Sequence, residues 1–170
     1  MQKFKLNTRT IVYLAILTAL EIVLSRFLSF SVWNMKIGFS FVPIVLAGMM
    51  FGAIPAGIVA ALADFLGAVL FPIGPYFPGF TLTAFLTGVV FGLFLYREQP
   101  VIRIVLAVAI NQLILSLLLN TLWISILYGS PFVPLLTTRL IQCAILIPVQ
   151  LVVIFALRPV LAKYGKRLFA

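Results

Sequence analysis

VIRIVLAVAINQLILSLLLNTLWISILY, residues 101–128, is an almost entirely apolar stretch with one charged side chain, Arg103, near its start. The hydrocarbon core of a bilayer is about 30 Å thick and needs about 20 helical residues at 1.5 Å each. Residues 101–128 are long enough to cross it. The stretch therefore predicts a transmembrane helix.

The same pattern extends in both directions along the chain. Short breaks containing proline, glycine or arginine separate the apolar stretches. We expect Pro43 to kink the second stretch, residues 52–55 to form a tight turn, and the proline- and glycine-rich residues 71–79 to lie outside any regular helix. The predicted fold class is an all-α membrane protein, in which residues 1–170 form one compact bundle of six transmembrane helices, at about 10–30, 37–51, 56–71, 80–96, 101–128 and 132–157.

Composition supports this fold class and excludes others. Hydrophobic residues make up 64% of the 170 residues and charged residues 9%, whereas soluble domains carry about 25% charged residues. The net charge of +9 would indicate nucleic-acid binding in a soluble protein, but here the basic residues flank membrane spans. The chain has no histidine and one cysteine, Cys143, so a histidine metal site and an internal disulfide are excluded. We expect no enzyme, because acid–base chemistry has few candidate residues.

The basic residues are unevenly distributed about the six segments. With six spans both termini lie on one side of the membrane, and the opposite loops hold only Lys36. Cytoplasmic loops are rich in lysine and arginine, so both termini are expected in the cytoplasm and the loops around Trp33 and at 71–79 outside. The cytoplasmic side then collects Lys3, Lys5, Arg9, Arg97, Arg103, Arg158, Lys163, Lys166 and Arg167.

Four polar side chains, Arg26, Asp64, Asn120 and Arg139, lie inside apolar segments. An ionisable group at that depth costs roughly 3 kcal/mol or more, so such residues usually face a protein-lined cavity. Counted from the expected outer ends of their segments at 1.5 Å per residue, all four lie roughly 6–12 Å below the outer surface. The sequence therefore predicts a polar chamber open to the outside. An ion pair between Asp64 and an arginine, which merely neutralises the interior, remains an alternative for part of this set.

Further polar residues follow single helix faces at spacings of three or four. Such stripes are explained equally well by a ligand site and by hydrogen bonds between packed helices, each of which stabilises the packing by about 0.6 kcal/mol. The stripes are Gln112, Ser116, Asn120 and Trp123 in the fifth segment, Thr83 and Thr87 in the fourth, and Arg139 and Gln142 in the sixth.

The charges and aromatic residues suggest a ligand class. Two arginines and Lys36 outnumber the one nearby carboxylate, and the planar guanidinium group pairs well with carboxylates, so an anionic ligand is favoured. Asp64 can accept hydrogen bonds from an amino-substituted heterocycle. Trp33, Phe77 and Trp123 are candidates for stacking on a ring, although aromatic residues near a membrane surface are more often interfacial anchors.

Small residues indicate close helix packing and a possible partner. Ala15 and Ala19 form a small-xxx-small pair in the first segment, and such pairs let helices approach closely. Most pairs of this kind are internal packing, and docking of an external partner is the alternative for Ala15 and Ala19. The sequence has no phosphate-binding loop, since Gly165-Lys166 is followed by Arg167 and not by serine or threonine. A chain of this kind that moves a bulky anion inward needs a partner to supply the energy.

Specific stretches resemble a known family. The runs ALADFLG at 61–67 and LFPIGPYFPGFTLTAFLTG at 70–88, together with SRFLS at 25–29 and KIGFSFVP at 36–43, are similar to the substrate-binding S-components of energy-coupling factor (ECF) vitamin transporters. The middle block is the most specific part, and the likeness is greatest to the folate-specific subfamily. Ala15 and Ala19 match the motif with which the family docks its coupling protein.

The resemblance implies a function and a set of partners. Such proteins capture a vitamin from outside in a pocket closed by two outer loops. They then associate with a transmembrane coupling protein and two ABC-type ATPases, and topple to release the vitamin inside. It implies folate as the ligand, no cofactor because ATP is used by the partners, and a location in the bacterial cell membrane. Biotin or riboflavin as the vitamin, or a self-sufficient small carrier or channel, are the alternatives.

The resemblance also implies roles for the predicted chamber. Asp64 or Asn120 would bind the pterin donors of folate. Arg26, Lys36 and Arg139 would neutralise its glutamate carboxylates or bind the pterin carbonyl. The full candidate substrate-binding set is Arg26, Trp33, Lys36, Asp64, Phe77, Thr83, Asn120, Trp123, Arg139 and Gln142, with Ala15 and Ala19 as the partner-docking pair.

Overall fold

The computed structural model describes residues 7–32, 35–96 and 99–168, and in them the chain is helical apart from one β-hairpin. Its elements, in chain order, are α1 (Thr8–Arg26), β1 (Ser29–Val32), β2 (Met35–Gly38), α2 (Phe41–Phe51), α3 (Ala53–Leu70), α4 (Pro78–Leu95), α5 (Val101–Ala109), a π-helix that we call the π segment (Ile110–Leu119), α6 (Asn120–Tyr128) and α7 (Phe132–Leu168).

The predicted all-helical membrane fold is confirmed. Among the described residues, five helices are long and apolar enough to cross a membrane, and α5, the π segment and α6 form one of them as a continuous helix from Val101 to Tyr128. The remaining apolar helix, α2, has 11 residues and is therefore roughly 17 Å long at 1.5 Å per residue. Five helices of spanning length and one shorter apolar helix thus correspond to the six predicted segments.

The first two segment boundaries were predicted wrongly. Segment one was expected to remain helical to Phe30, but α1 ends at Arg26 and Ser29–Val32 pairs with Met35–Gly38 as an antiparallel hairpin. Ser29-Phe-Ser-Val32 alternates polar and apolar residues, which is the strand period of two rather than the helical one. The expected outer loop around Trp33 and Lys36 is therefore largely a hairpin, and α2 begins at Phe41 rather than at residue 37.

The prolines also act differently from the prediction. Pro43 is the third residue of α2. An amide hydrogen at this position would have no acceptor within the helix, so proline removes no intrahelical hydrogen bond and the cause of the expected kink is absent. Pro55 likewise lies in the first turn of α3. The tight turn expected at 52–55 reduces to Gly52, whose φ of 91° is readily adopted only by glycine. The last helix, expected to end at Leu157, continues to Leu168.

Glycines set the distances between the central helices. A Cβ atom on Gly48 of α2 would lie 2.9 Å from the backbone nitrogen of Gly92 on α4. A Cβ on Gly88 would collide with the backbone of Ala56, and one on Gly92 with the backbone of Ala53. These three glycines therefore allow α4 to pack closely against both α2 and α3. The fully buried side chains around this contact include Val45, Phe91, Leu95, Ile104 and Ile154.

Candidate ligand-binding site

The first two turns of α4 position the aromatic part of the predicted site. Thr83 is 3% exposed, and its Oγ1 donates to the carbonyl oxygen of Gly79 at 3.0 Å. The same oxygen accepts a 3.0 Å hydrogen bond from Nε1 of Trp123 on α6. Of the predicted site residues, Thr83 and Trp123 are thus in direct contact, although they are 40 residues apart in sequence.

Phe77 joins this pair from the loop before α4. Its ring centroid lies 5.6 Å from that of Trp123, with the planes tilted by 46°, and 6.1 Å from that of Phe80 in an edge-to-face arrangement. Aromatic pairs at these separations stabilise each other by about 0.5–1.5 kcal/mol beyond their buried area. Phe77 and Trp123 are both half-buried, so each keeps part of its ring uncovered.

Asp64 is connected to the same part of α4 through Thr81, which is not among the predicted site residues. Oγ1 of Thr81 donates a 2.8 Å hydrogen bond to Oδ2 of Asp64. The hydroxyl of Tyr76 lies 3.2 Å from Oγ1 of Thr81, and the Tyr76 ring packs edge-to-face on Phe65, 5.7 Å between centroids. Within the described residues, the Asp64 carboxylate therefore accepts a hydrogen bond from a hydroxyl group and does not form the ion pair with an arginine that the sequence left open.

Arg26 lies against the same face of α3, one turn after Asp64. A Cβ atom on Gly67 would lie 2.8 Å from Nε of Arg26 and 3.1 Å from its Nη2. The absence of a side chain at Gly67 thus makes room for the guanidinium group. Nε of Arg26 is buried and makes no hydrogen bond in the described part of the chain. Gly67 follows Asp64 by three residues, so the two positions share one side of α3, and the Arg26 guanidinium group next to Gly67 lies on the same side as the Asp64 carboxylate.

Arg139 is placed by the π segment. It is 6% exposed, and its Nη2 donates to the carbonyl oxygen of Ser116 at 3.2 Å. One turn further along α7, Sγ of Cys143 donates to the carbonyl oxygen of Gln112 at 3.3 Å. Two side chains of α7 therefore bind two carbonyl groups of the π segment, and π-helical turns inside α-helices occur frequently at functional sites. The sequence gives no sign of this local geometry.

Asn120 and Gln142 lie on α6 and α7, two helices that contact each other. Asn120 is the first residue of α6, directly after the π segment, and its Oδ1 is buried and accepts no hydrogen bond among the described residues. Gln142 is 5% exposed on α7. A buried polar atom without a partner costs about 1–3 kcal/mol, so Asn120 is suited to receive a hydrogen bond from a ligand.

Two predicted site residues belong to the segment between α1 and α2. Trp33 lies outside the described residues, and Lys36 lies in β2 without a described side chain. The structure brings Phe77, Thr83 and Trp123 together and joins Asp64 to them through Thr81. Arg26, Asn120 and Arg139 occupy the adjoining helices α1, α6 and α7. Thr81 was missed because it is two residues from Thr83 and therefore outside the i, i+4 stripe that drew attention to Thr83 and Thr87.

Comparison with known proteins yields a consistent set of relatives. A family model described as "ECF transporter, substrate-specific component" matches residues 9–158. The folate transporter FolT of Clostridium novyi (strain NT) is 45% identical, over 88% of this chain and 87% of that protein. The folate transporter FolT of Leuconostoc mesenteroides is 30% identical, over 98% of this chain and 94% of that protein.

Solved structures agree with these relatives. The crystal structure of FolT bound with folic acid superposes with a TM-score of 0.85 at 38% identity, covering 89% of this chain and 93% of that chain. The structure of the S component of a bacterial ECF transporter superposes with a TM-score of 0.66 at 22% identity, covering 92% and 96% of the two chains. The second likeness is one of fold.

Proposed function

Because the chain belongs to the family of substrate-specific components of ECF transporters, we propose that it captures folate outside the cell and delivers it across the membrane as the S-component of an ATP-driven transporter. The observation that carries the proposal is its likeness to FolT bound with folic acid along most of the chain. The family consists of transporter components and not enzymes, as the sequence predicted. Both curated relatives are folate transporters, which favours folate over biotin and riboflavin.

The chemistry of the site is compatible with the parts of folate. Folate joins a flat pterin ring with an amino group to a glutamate that carries two carboxylates. The half-buried rings of Phe77 and Trp123 offer a flat apolar surface. Asp64, with one oxygen bonded to Thr81, has a second oxygen for a pterin donor. Arg26, whose Nε has no hydrogen bond among the described residues, suits a glutamate carboxylate.

The remaining polar residues complete this assignment. Asn120 provides a buried amide oxygen for a pterin donor. Arg139 and Lys36 add positive charge for a carboxylate or the pterin carbonyl, and Gln142 and Trp33 belong to the same proposed site. We take residues 1–170 as one substrate-binding domain. It lies in the bacterial cell membrane with both termini in the cytoplasm, as the nine basic residues on the terminal side favour.

The proposed partners are a transmembrane coupling protein and two ABC-type ATPases. Ala15 and Ala19 are exposed on α1 in a surface that is otherwise made of large apolar side chains such as Ile11, Ile16 and Leu20. A small-residue pair one turn apart lets a partner helix approach closely. The ATPases supply the work of inward transport, for which this chain has no phosphate-binding loop.

A vitamin panel tests the proposed ligand. The purified full chain in nanodiscs is titrated with folate, biotin, riboflavin and thiamine, and binding is followed by tryptophan fluorescence. We expect saturable quenching with folate alone. Absence of folate binding, or equal binding of several vitamins, would contradict the proposal.

A transport assay separates an S-component from a self-sufficient carrier or channel. The chain is reconstituted in liposomes alone, or together with the coupling protein and ATPases, and uptake of radiolabelled folate is measured with and without ATP. We expect uptake only for the complete assembly with ATP. Folate flux through liposomes that contain this chain alone would identify a carrier or channel instead.

A further inference from the structure

The indole of Trp123 is held at two points by the first two turns of α4. Its Nε1 donates to Oγ1 of Thr83 at 3.0 Å. At the ring fusion of the same indole, a Cβ atom on Gly79 would lie 2.7 Å from Cδ2 of Trp123, and it would lie 2.5 Å from Cε1 of Phe77. Gly79 and Thr83 are four residues apart and so lie on one face of α4. They form a seat for the indole, in which glycine leaves room for the ring and threonine fixes its N–H group.

The direction of the hydrogen bonds follows from their donors. An indole N–H donates only, so Thr83 must accept from Trp123. A hydroxyl has one hydrogen, and that of Thr83 is used at the carbonyl oxygen of Gly79, 3.0 Å away. The bond to Gly79 therefore turns a lone pair of Oγ1 towards the indole. Gly79 therefore contributes in two ways: its missing side chain leaves room for the ring, and its carbonyl oxygen orients the hydroxyl that binds the ring.

Thr83 itself is poorly placed to touch a ligand. It is 3% exposed, and its hydroxyl hydrogen and one lone pair are both used inside the protein. Trp123, in contrast, is half-buried and has part of its ring free. Of the two, the tryptophan is the residue that can meet a ligand, and the threonine acts through it.

We propose that Thr83 is a positioning residue for folate recognition: its hydroxyl fixes the indole of Trp123 in the orientation that a flat aromatic ring of the ligand stacks on. The inference rests on the proposed function. It reassigns Thr83 from the substrate-contacting set to the support of Trp123. Pre-organising an aromatic side chain saves the entropy of ordering it on binding, so loss of the hydroxyl weakens affinity although no ligand contact is removed.

Two substitutions of Thr83 separate the effect of its hydroxyl group on folate binding from the effect of its side-chain shape. Thr83→Val keeps the shape but leaves the indole N–H without its acceptor, which costs the full desolvation of that group or a rotation of the ring. Thr83→Ser keeps the hydroxyl and loses one methyl group. We expect Thr83→Val to weaken folate binding roughly tenfold or more, and Thr83→Ser to remain within about threefold of the parent.

The indole N–H signal of the ligand-free protein distinguishes a positioning role of Thr83 from a general structural role. The chain has two tryptophans, so ¹H–¹⁵N spectra of indole-labelled protein in nanodiscs, with Trp33→Phe for assignment, isolate the Nε1–H signal of Trp123. We expect Thr83→Val to shift this signal upfield and to speed its exchange with solvent. Thr83→Ser should leave both close to the parent. The signal is recorded without folate, so it tests the seat even if the proposed function fails.

A double-mutant cycle with Trp123→Phe tests whether Thr83 acts through the indole. Phenylalanine keeps an aromatic ring but has no N–H, so Thr83→Val should cost little further affinity for radiolabelled folate in that background. Equal costs in both backgrounds, or an unchanged indole signal in Thr83→Val, would overturn the inference. If Thr83→Val does not fold, Gly79→Ala replaces it, because the added methyl group crowds the same ring. Gly79→Ala must weaken folate binding and shift the indole signal, and an unchanged signal in this variant would also overturn the inference. Absence of folate binding by the parent chain would instead refute the proposed function.

Discussion

Oγ1 of Thr81 on α4 lies 2.8 Å from Oδ2 of Asp64 on α3 and donates a hydrogen bond to it. This contact ties the carboxylate to the helix turn that also carries Thr83, the acceptor for the Trp123 indole. Thr81 and Thr83 are two residues apart, so their side chains lie on different sides of α4. One turn of α4 therefore reaches a carboxylate on α3 and an aromatic residue on α6, and it sets the distance between them.

Removing the Thr81 hydroxyl should weaken folate binding through Asp64. In Thr81→Val the carboxylate loses a donor that fixes one of its oxygens, and we expect the dissociation constant for folate to rise roughly tenfold. Thr81→Ser, which retains the hydroxyl, should restore most of the affinity. Isothermal titration of the purified chain measures both. Thr137→Val is the matched control, since Thr137 is an exposed threonine on α7 that bonds only its own helix; equal losses for Thr81→Val and Thr137→Val would contradict the role of Thr81.

Arg26→Ala should reduce folate affinity by well over tenfold while the protein still folds. A guanidinium group that pairs with a carboxylate contributes about 1.5–3 kcal/mol, and Arg26 is half-buried with an unbonded Nε among the described residues. Asp64→Ala should have a loss of similar size. The discriminating measurement compares folate with a pteroate analogue that lacks the glutamate. Arg26→Ala should affect folate far more than pteroate, and equal effects on both would remove Arg26 from the carboxylate end.

Gly67→Ala tests how the Arg26 side chain is seated. The added Cβ would come within 2.8 Å of Nε, so the guanidinium group must move away from α3. We expect folate affinity to fall by about the same factor as in Arg26→Ala. Gly74→Ala should have little effect, because Gly74 lies in the loop between α3 and α4 and the nearest atom to an added Cβ is the Tyr128 hydroxyl at 3.3 Å. Competition binding with radiolabelled folate measures the two variants. Native affinity in Gly67→Ala would show that Arg26 does not bind folate from this position.

The sequence was sufficient for the helical fold and insufficient for the local geometry of the site. Apolar runs located the membrane helices because bilayer thickness fixes their length, and segment five was predicted with its observed bounds, 101–128. The hairpin was missed because Ser29-Phe-Ser-Val32 follows an apolar helix without a glycine or proline break. The π segment was missed because a helical period of 3.6 gives no separate signal for a wider turn.

The sequence also could not predict which side chains contact each other. Counting residues from the segment ends placed Asp64 and Arg26 at similar depth, but it contains no information on rotation about the helix axis. Only the structure reveals that Thr81 meets Asp64 and that Gly67 faces Arg26. Thr83 and Trp123 were selected on separate stripes, and their hydrogen bond depends on how α4 and α6 are packed.

Close contact of α4 with its neighbours predicts a strong effect on stability at Gly92. A Cβ on Gly92 would collide with the backbone of Ala53, so Gly92→Val forces α3 and α4 apart and should lower the unfolding temperature in detergent by several degrees. The next residue is the control: Leu93 is 65% exposed, and Leu93→Ala should leave the unfolding temperature nearly unchanged. Folate-induced stabilisation, measured on the same samples, reports whether the site survives. Equal unfolding temperatures for the two variants would contradict the packing role of Gly92.

Ala15→Trp should separate ligand capture from transport. Ala15 is exposed on α1 and lies outside the contacts that form the site, so folate binding by the isolated chain should remain native. In liposomes with the coupling protein and ATPases, however, a bulky indole on the small-residue pair would keep a partner helix away, and ATP-dependent uptake should be abolished. Val152→Trp is the control, because Val152 is also exposed but lies on α7, away from the small-residue pair of α1. It should retain most of the uptake. Native uptake by Ala15→Trp would exclude this face as the docking surface, and loss of folate binding would show that the substitution disturbs the site itself.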